Sequence, residues 1–284
     1  MNQCIEKQLL SQLEPREIEI YQTIHSLPKL KAVGKKLASS ERVTIITPTN
    51  KNNYQQNIVT NFLRQTVQNK ELIIILNNND QFNLNTWTDY VRNYENIRVF
   101  QLSEPITTGA CLNFGIARAT GGFIARFDDD DYYGPQYLEE LLIYFQITEA
   151  TVVGKESHFI YFEGIRQFAV CDSGKGFKYT NFLPGGTQVI RRDVFASIPY
   201  PDGSLAEDVF FNNECVKAGF KLYSADPFNF IRFRRENKDY HTWKIEDQEF
   251  SSWCKSIAVT DDPIQINTSL VSFIKTMGKK RIIH

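Results

Sequence analysis

Between residues 42 and 147 short apolar runs alternate with segments whose apolar residues recur at helical spacing. Arg42–Thr47 (RVTIIT) is β-branched and apolar and stops at Pro48. Asn53–Val67 carries Ile58, Val59, Phe62, Leu63 and Val67 on one helical face. Glu71–Leu76 (ELIIIL) predicts a second buried strand, closed by Asn77–Asp80. Trp87–Tyr94 predicts a helix and Ile97–Leu102 a third strand. Thr107–Ala119 is helical with Gly121-Gly122 past its end, Phe123–Phe127 is a fourth strand, and Pro135–Ile147 is a helix with proline near its first turn. Four such alternations predict a parallel sheet with helical crossovers, and strands apolar at every position suit a sheet covered on both faces.

After residue 150 the rhythm changes. Thr151–Phe162 and Ile165–Val170 flank Glu163-Gly164 and read as a hairpin. Gly185–Arg191 reads as a strand, Glu207–Lys217 as a helix, and Lys221–Ala225 and Phe228–Phe233 as short strands. Residues 1–41 read as one or two helices with a basic stretch at Lys29–Lys36, and residues 236–284 as a C-terminal segment with no clear pattern. With no repeats and no long Gly/Pro/Ser linker, the chain predicts one continuous α/β unit: a doubly wound half followed by a mixed half.

Composition narrows the class. The 284 residues hold 32 Lys+Arg against 33 Asp+Glu, a formal net charge of -1, which argues against a nucleic-acid or anionic-membrane binder needing a basic excess. Hydrophobic residues make up 42%, enough for a sizeable core. No apolar run approaches the roughly 18–20 residues that span a bilayer, and the amino end is too polar and acidic for a signal peptide. The five cysteines (Cys4, Cys111, Cys171, Cys215, Cys254) are scattered, without a C-x-x-C pair, and predict reduced thiols in a cytoplasmic protein.

Ligands of open α/β sheets bind beyond the carboxyl ends of the strands. Three strand ends are polar here: Pro48-Thr49-Asn50, Asn77–Asp80 and Asp128–Asp131. Four adjacent carboxylates after an apolar strand repel one another. A hard divalent cation, Mg²⁺ or Mn²⁺, would relieve that repulsion and could bridge to a diphosphate; a solvated turn capping the next helix accounts for the run equally. Arg126, just before the run, pairs with a carboxylate or stabilises the turn. Glu207-Asp208 opens a helix whose dipole favours ionised carboxylates, as a general base requires, although such pairs are also common helix starts. Gly185-Gly186-Thr187 permits close approach of backbone to ligand, or only a turn. His241 lies in a polar stretch and could complete a metal shell, or be structural. Arg232, Arg234 and Arg235 could hold a phosphate or form an exposed strand face. Neither G-x-S-x-G, H-E-x-x-H nor G-x-x-x-x-G-K-[ST] occurs, and no G-x-G-x-x-G follows the first strand.

Taken in order, VTIITPT (Val43–Thr49), ELIIILNNND (Glu71–Asp80), GACLNFGIARATGG (Gly109–Gly122), FIARFDDDDYYGP (Phe123–Pro135), GGTQVIRRDVF (Gly185–Phe195) and Glu207-Asp208 with Gly219 resemble the family 2 glycosyltransferases of the GT-A fold, over roughly residues 42–235. The resemblance implies a Rossmann-like, mainly parallel sheet with a nucleotide-sugar-binding half (42–135) and an acceptor half (136–235), flanked by the helical extension 1–41 and the segment 236–284. It implies transfer of a sugar from a nucleoside diphosphate sugar, UDP or TDP, to a hydroxyl of a glycan or other acceptor, with inversion at the anomeric carbon. By the same resemblance Pro48, Thr49, Asn50 and Asn77 line the nucleoside pocket, and Asp128 and Asp130 form a D-x-D element. Asp129 then lies near the ribose, Asp130 binds Mn²⁺ or Mg²⁺, and His241 matches a late metal histidine. Asp208 matches the catalytic base, with Glu207 beside it and Gly185, Gly186 and Thr187 on the acceptor side. Two departures stand out: Asn50-Lys51 replaces the usual Tyr-Asn, and Leu76-Asn77 the usual paired aspartates. A sugar-phosphate nucleotidyltransferase, or a non-catalytic binding protein of the same fold, remains as an alternative, and homo-oligomerisation stays open.

Overall fold

The structure, a computed structural model, describes residues 9–28, 30, 32, 36, 40–77, 82–102, 106–237 and 244–281. Its strands are β1 (Val43–Thr49), β2 (Lys70–Asn77), β3 (Ile97–Leu102), β4 (Phe123–Arg126), β5 (Tyr132–Tyr133), β6 (Val152–Gly154), β7 (His158–Phe162), β8 (Gln167–Cys171), β9 (Lys178–Thr180), β10 (Val189–Arg191), β11 (Leu222–Ser224), β12 (Phe230–Arg234) and β13 (Cys254–Val259). Its helices are α1 (Pro15–Ser26), α2 (Gln55–Leu63), α3 (Leu84–Val91), α4 (Thr108–Ile116), α5 (Tyr137–Ile147), α6 (Glu207–Lys217), α7 (Asp247–Ser252) and α8 (Pro263–Arg281). One sheet runs β3-β2-β1-β4-β10-β6-β11-β9 and the other β13-β8-β7-β12-β5. Strands β3, β2, β1 and β4 are parallel, and β10 joins antiparallel to β4.

The apolar runs of β1 and β2 are explained by burial on both faces. Val43, Ile45, Leu72, Ile74 and Leu76 enter one core with Ile58, Val59 and Phe62 of α2 and Leu138, Leu141 and Leu142 of α5. Their sequence neighbours Ile46, Ile73 and Ile75 enter a second core with Cys111 and Leu112 of α4 and Phe211 and Cys215 of α6. Successive side chains point to opposite faces, so only a sheet covered twice buries them all.

Four expectations need correction. The run Gly185–Arg191 is strand only over Val189–Arg191, because Gly185–Thr187 forms a short 3-10 turn ahead of it. Strand β1 does not stop at Pro48 but pairs with β2 through Thr49. The Ile46 carbonyl accepts from Phe127 N–H on the β4 side, so Pro48, two residues on, turns its missing N–H the same way, where β4 has already ended. The run Thr151–Phe162 is not one arm of a hairpin: β6 lies in the large sheet, β7 in the small one, and only β7 pairs with β8. The break falls at Lys155–Ser157, where Lys155 is fully buried and its ammonium donates to the Asp226 carboxylate at 2.9 Å and carbonyl at 2.7 Å. Finally, the cysteines are not all free. Cys171 and Cys254 face each other across β8 and β13 with a Cα separation of 4.4 Å and form a disulfide, while Cys111 and Cys215 are free and buried. Cys4 lies outside the described residues.

Both terminal segments pack into the same body. Strand β13 extends the small sheet, and α8 lies against α1, with Ile266, Leu270 and Ile274 in the first core. Glu140 of α5 ties the helices together: it accepts from Tyr21 of α1 (2.8 Å), Lys275 of α8 (2.8 Å) and Asn229 (2.7 Å), with His25 at 3.5 Å. None of the helices among the described residues is long and apolar enough to cross a membrane.

Candidate active site

The carboxyl ends of β2, β1 and β4 lie side by side, which brings Asn77, Pro48-Thr49 and Asp128–Asp131 to one rim of the large sheet. The acidic run is held by amides of α2 and the turn after it. Asn57 donates to the Asp129 and Asp131 carbonyls (2.7 and 3.0 Å), and Asn61 to the Asp131 carbonyl (2.8 Å). Gln65 donates to the carbonyls of Tyr133 and Gly134 (3.3 and 3.0 Å). These three residues recur every four positions, so one polar stripe satisfies the loop's backbone. The Asp128 N–H donates to the Tyr133 hydroxyl (2.8 Å), which donates to the Gly186 carbonyl (2.7 Å).

Each carboxylate then has a distinct setting. Asp129 is buried and accepts from Thr49 Oγ1 at 2.5 Å. Burial and the neighbouring Asp130 charge push its carboxyl up to about 7, against the pull of Lys51 and the Thr49 hydroxyl. Asp130 is also raised, by burial and by Asp128, and its carbonyl accepts from Arg235 at 3.0 Å. Lys51 places its ammonium 4.0 Å from Asp129 and 3.8 Å from Asp130. Asp131 turns away into the fold, where Phe233 N–H donates to it (2.9 Å) and burial raises its carboxyl well above the usual range.

Arg126 connects this run to α6. Its side chain is 11% exposed, with Nε donating to Asp128 at 3.0 Å and Nη1 to Glu207 at 2.8 Å. The turn Gly185–Thr187 packs against this bridge. The Gly185 N–H donates to Asp208 Oδ2 at 2.9 Å, and Val209 N–H to Oδ1 at 2.8 Å. A Cβ on Gly186 would lie 2.5 Å from Asp128 Oδ2, and one on Gly185 would collide with the Arg126 guanidinium. Glycine is therefore required by the closeness of the two acids' supports. Thr187 is buried, its hydroxyl donating to the Pro184 carbonyl at 2.8 Å. Asn113 of α4 exchanges two hydrogen bonds with the backbone of Tyr200 (2.8 and 3.0 Å), fixing the segment that leads into α6.

The "Glycosyl transferase family 2" model matches residues 44–196, more than half of the chain. The chain belongs to glycosyl transferase family 2. A Haemophilus influenzae protein described as an uncharacterized glycosyltransferase is 23% identical to this chain over 221 residues, 75% of this chain and 88% of its own length. Two solved structures of S. aureus TarS residues 1–349 share its fold. The first has a TM-score of 0.52 and 19% identity, covering 68% of this chain and 60% of TarS. The second, in complex with UDP-GlcNAc, has a TM-score of 0.51 and 18% identity, covering 75% and 64%. The chain thus spans under two thirds of those TarS chains.

Of the residues singled out in the sequence, the fold brings Thr49, Asp128, Asp129, Asp130, Gly185, Gly186, Thr187, Glu207 and Asp208 together, with Pro48 beside them at the end of β1. Asn77 sits at the end of β2, where its Nδ2 donates to the Ile106 carbonyl at 2.7 Å and its buried Oδ1 has no hydrogen-bond partner among the described residues. Asn50 is exposed, and His241 lies outside the described residues. Arg234 faces away from the run, pairing with Asp247 at 2.9 Å. Sequence reasoning missed Asn57, Asn61, Gln65, Lys51 and Tyr133. The four-residue spacing of the three amides was the available signal.

Proposed function

We propose that this family 2 enzyme transfers a glycosyl group from a nucleoside diphosphate sugar to an acceptor hydroxyl, inverting the anomeric centre, with Asp208 as general base and a divalent cation at Asp130. The observation that carries this reading is the Gly185–Gly186 turn. It contacts the donor-side acid Asp128 through one residue and holds Asp208 through the next.

The residues present fit a hard cation. Asp129 and Asp130 are adjacent carboxylates that burial and neighbouring negative charge make costly to ionise, which is the cost Mg²⁺ or Mn²⁺ removes. Among the described residues, no three His, Cys, Asp or Glu side chains form a complete metal cluster. That suits a cation held by one or two carboxylates and completed by substrate phosphates. Asp130, with His241 as a further ligand, would hold it; once bound, the cation supplies Lewis-acid stabilisation of charge developing on the departing diphosphate.

The chain's own groups do the rest. Asp208 stands in the first turn of α6, where the helix dipole favours its charge. Each of its oxygens accepts one backbone N–H, which fixes the carboxylate plane and leaves lone pairs for an acceptor hydroxyl proton. On this reading Asp129 meets the ribose, and Thr49, which donates to Asp129, lines the nucleoside pocket with Pro48 and Asn50. Asn77 supports a choice of base. One N–H of its amide is given to the Ile106 carbonyl and its buried oxygen is left to accept, which suits the ring N–H of uracil or thymine. The UDP-GlcNAc bound to a protein of the same fold is in keeping with this.

The test is nucleoside diphosphate release from a panel of UDP-, TDP- and CDP-sugars with Mn²⁺, followed by NMR of the product's anomeric configuration. Release from UDP- or TDP-sugars with inverted product supports the proposal. Pyrophosphate release from a nucleoside triphosphate plus sugar phosphate, or retention of configuration, contradicts it.

A further inference from the structure

Lys51 stands where the resemblance leads one to expect an asparagine, two residues after β1 ends at Thr49. Its backbone N–H donates to Thr49 Oγ1 (3.2 Å), the same hydroxyl that donates to Asp129 (2.5 Å), so the lysine is anchored to the acid it faces. The side chain runs past Tyr54, with Nζ 5.3 Å from the ring centre, and is only 19% exposed. Its ammonium ends between two carboxylates, 4.0 Å from Asp129 and 3.8 Å from Asp130.

Those distances exceed the roughly 2.7–2.9 Å of a tight charge-assisted hydrogen bond. The ammonium therefore neutralises the pair without being locked to it, and it rides on a flexible four-carbon stem. The other nearby cation behaves differently: Arg235 is fixed to the Asp130 carbonyl at 3.0 Å and its guanidinium also stacks 4.6 Å from the Phe233 ring. A divalent cation on Asp130 would share a carboxylate with the Lys51 ammonium, and two cations at that separation repel. The arriving diphosphate brings new negative charge to the same place.

We propose that Lys51 is a displaceable counter-ion: it neutralises Asp129 and Asp130 in the metal-free protein, is driven off Asp130 when a divalent cation binds, and then pairs with the diphosphate of the donor. The proposal rests on the reading of Asp128–Asp130 as the metal and donor site. It makes Lys51 a positioning residue that keeps the acidic run folded between turnovers and hands its charge to the donor during them.

Calorimetric titration of the full chain tests it, first with Mn²⁺ alone and then with UDP in saturating Mn²⁺, for the wild type, Lys51→Met and Lys51→Gln. Loss of a competing cation is expected to tighten binding of Mn²⁺ alone by about tenfold in both variants, while UDP binds about tenfold more weakly. Opposite signs for the two ligands separate this role from simple damage to the site, which weakens both. If Mn²⁺ affinity in both variants is unchanged or weaker, or UDP affinity is unchanged, the role assigned to Lys51 is wrong while the donor site stands. A wild type that binds neither Mn²⁺ nor UDP overturns this proposal and the functional reading together.

Discussion

The Gly185–Gly186 turn makes the sharpest demand on the site, and Gly186→Ala probes it with one methyl group. The added Cβ would stand 2.5 Å from Asp128 Oδ2 and 2.8 Å from its Cγ, where ordinary contact begins at 3.4 Å. Something must move by about 0.9 Å, the difference between the first and last of these distances. The turn itself is held by the Tyr133 hydroxyl on the Gly186 carbonyl and by Asp208 on the Gly185 N–H, so the carboxylate of Asp128, about a third exposed, is the freer partner. Displacing it strains its bond to Arg126. A misplacement near 1 Å costs on the order of 10²-fold in rate. The strain should cost stability about 1–3 kcal/mol, a Tm loss of several degrees for a chain of this size. The assay is Mn²⁺-dependent hydrolysis of a UDP-sugar, with water standing in for the acceptor, alongside thermal unfolding. Gly203→Ala is the control, since a Cβ there has its nearest neighbour at 4.0 Å and should change neither measurement. Hydrolysis within twofold of wild type and an unchanged Tm for Gly186→Ala would refute the reasoning.

Three further outcomes are expected. Asp208→Asn keeps the carboxamide near the backbone donors but cannot take a proton, so turnover should fall by roughly 10²–10⁴-fold while UDP affinity in Mn²⁺ stays within about twofold; retained turnover dismisses Asp208 as the base. Arg126→Met leaves Glu207 and Asp128 without their counter-charge and should cost about 3–5 kcal/mol in urea unfolding, part of which Arg126→Met/Glu207→Gln restores; strictly additive losses would show that the bridge is not a coupled unit. Glu140 is raised by burial but lowered more by His25, Lys275 and Lys155, and settles at about 2 against 4.5 when unfolded. Because the folded value is the lower one, its stabilisation is complete above about pH 4.5 and is lost as pH falls towards 2. The stability gap between wild type and Glu140→Gln should therefore be larger at pH 7 than at pH 3, and an equal gap at both would contradict the assignment.

Much of the sheet was legible because its strands are buried on both faces. Uninterrupted runs such as RVTIIT and ELIIIL leave periodicity little room to mislead, and helices α4 and α6 carry their own start and stop residues. Apart from the local turn at Gly185–Thr187, the failures are cases where tertiary contacts reverse a local rule. Pro48 sits inside a strand because its neighbour on the N–H side has ended. The run Thr151–Phe162 divides between two sheets because Lys155, polar and fully buried, is compensated by Asp226 some seventy residues later. Cys171 and Cys254 pair across 83 residues, a register that spacing alone does not reveal.

The site shows the same division. Asp128–Asp131 and Glu207-Asp208 were visible as charge at strand and helix ends. What the sequence did not show is that one arginine and one glycine turn join them. Arg126 and Asp208 are distant in sequence, and a residue that acts through a bridge has no local signature. Lys51 was visible only as a departure from the expected aromatic-asparagine pair, and its meaning came from its distances to two carboxylates.

The most direct test of the central claim is UDP binding by calorimetry to wild type, Asp130→Ala and Asp208→Asn, each with and without Mn²⁺. Binding to wild type should strengthen with Mn²⁺, Asp208→Asn should behave the same way, and Asp130→Ala should lose the metal-dependent part. Absence of UDP and TDP binding at millimolar concentration, or a Mn²⁺ effect undiminished in Asp130→Ala, would contradict the claim.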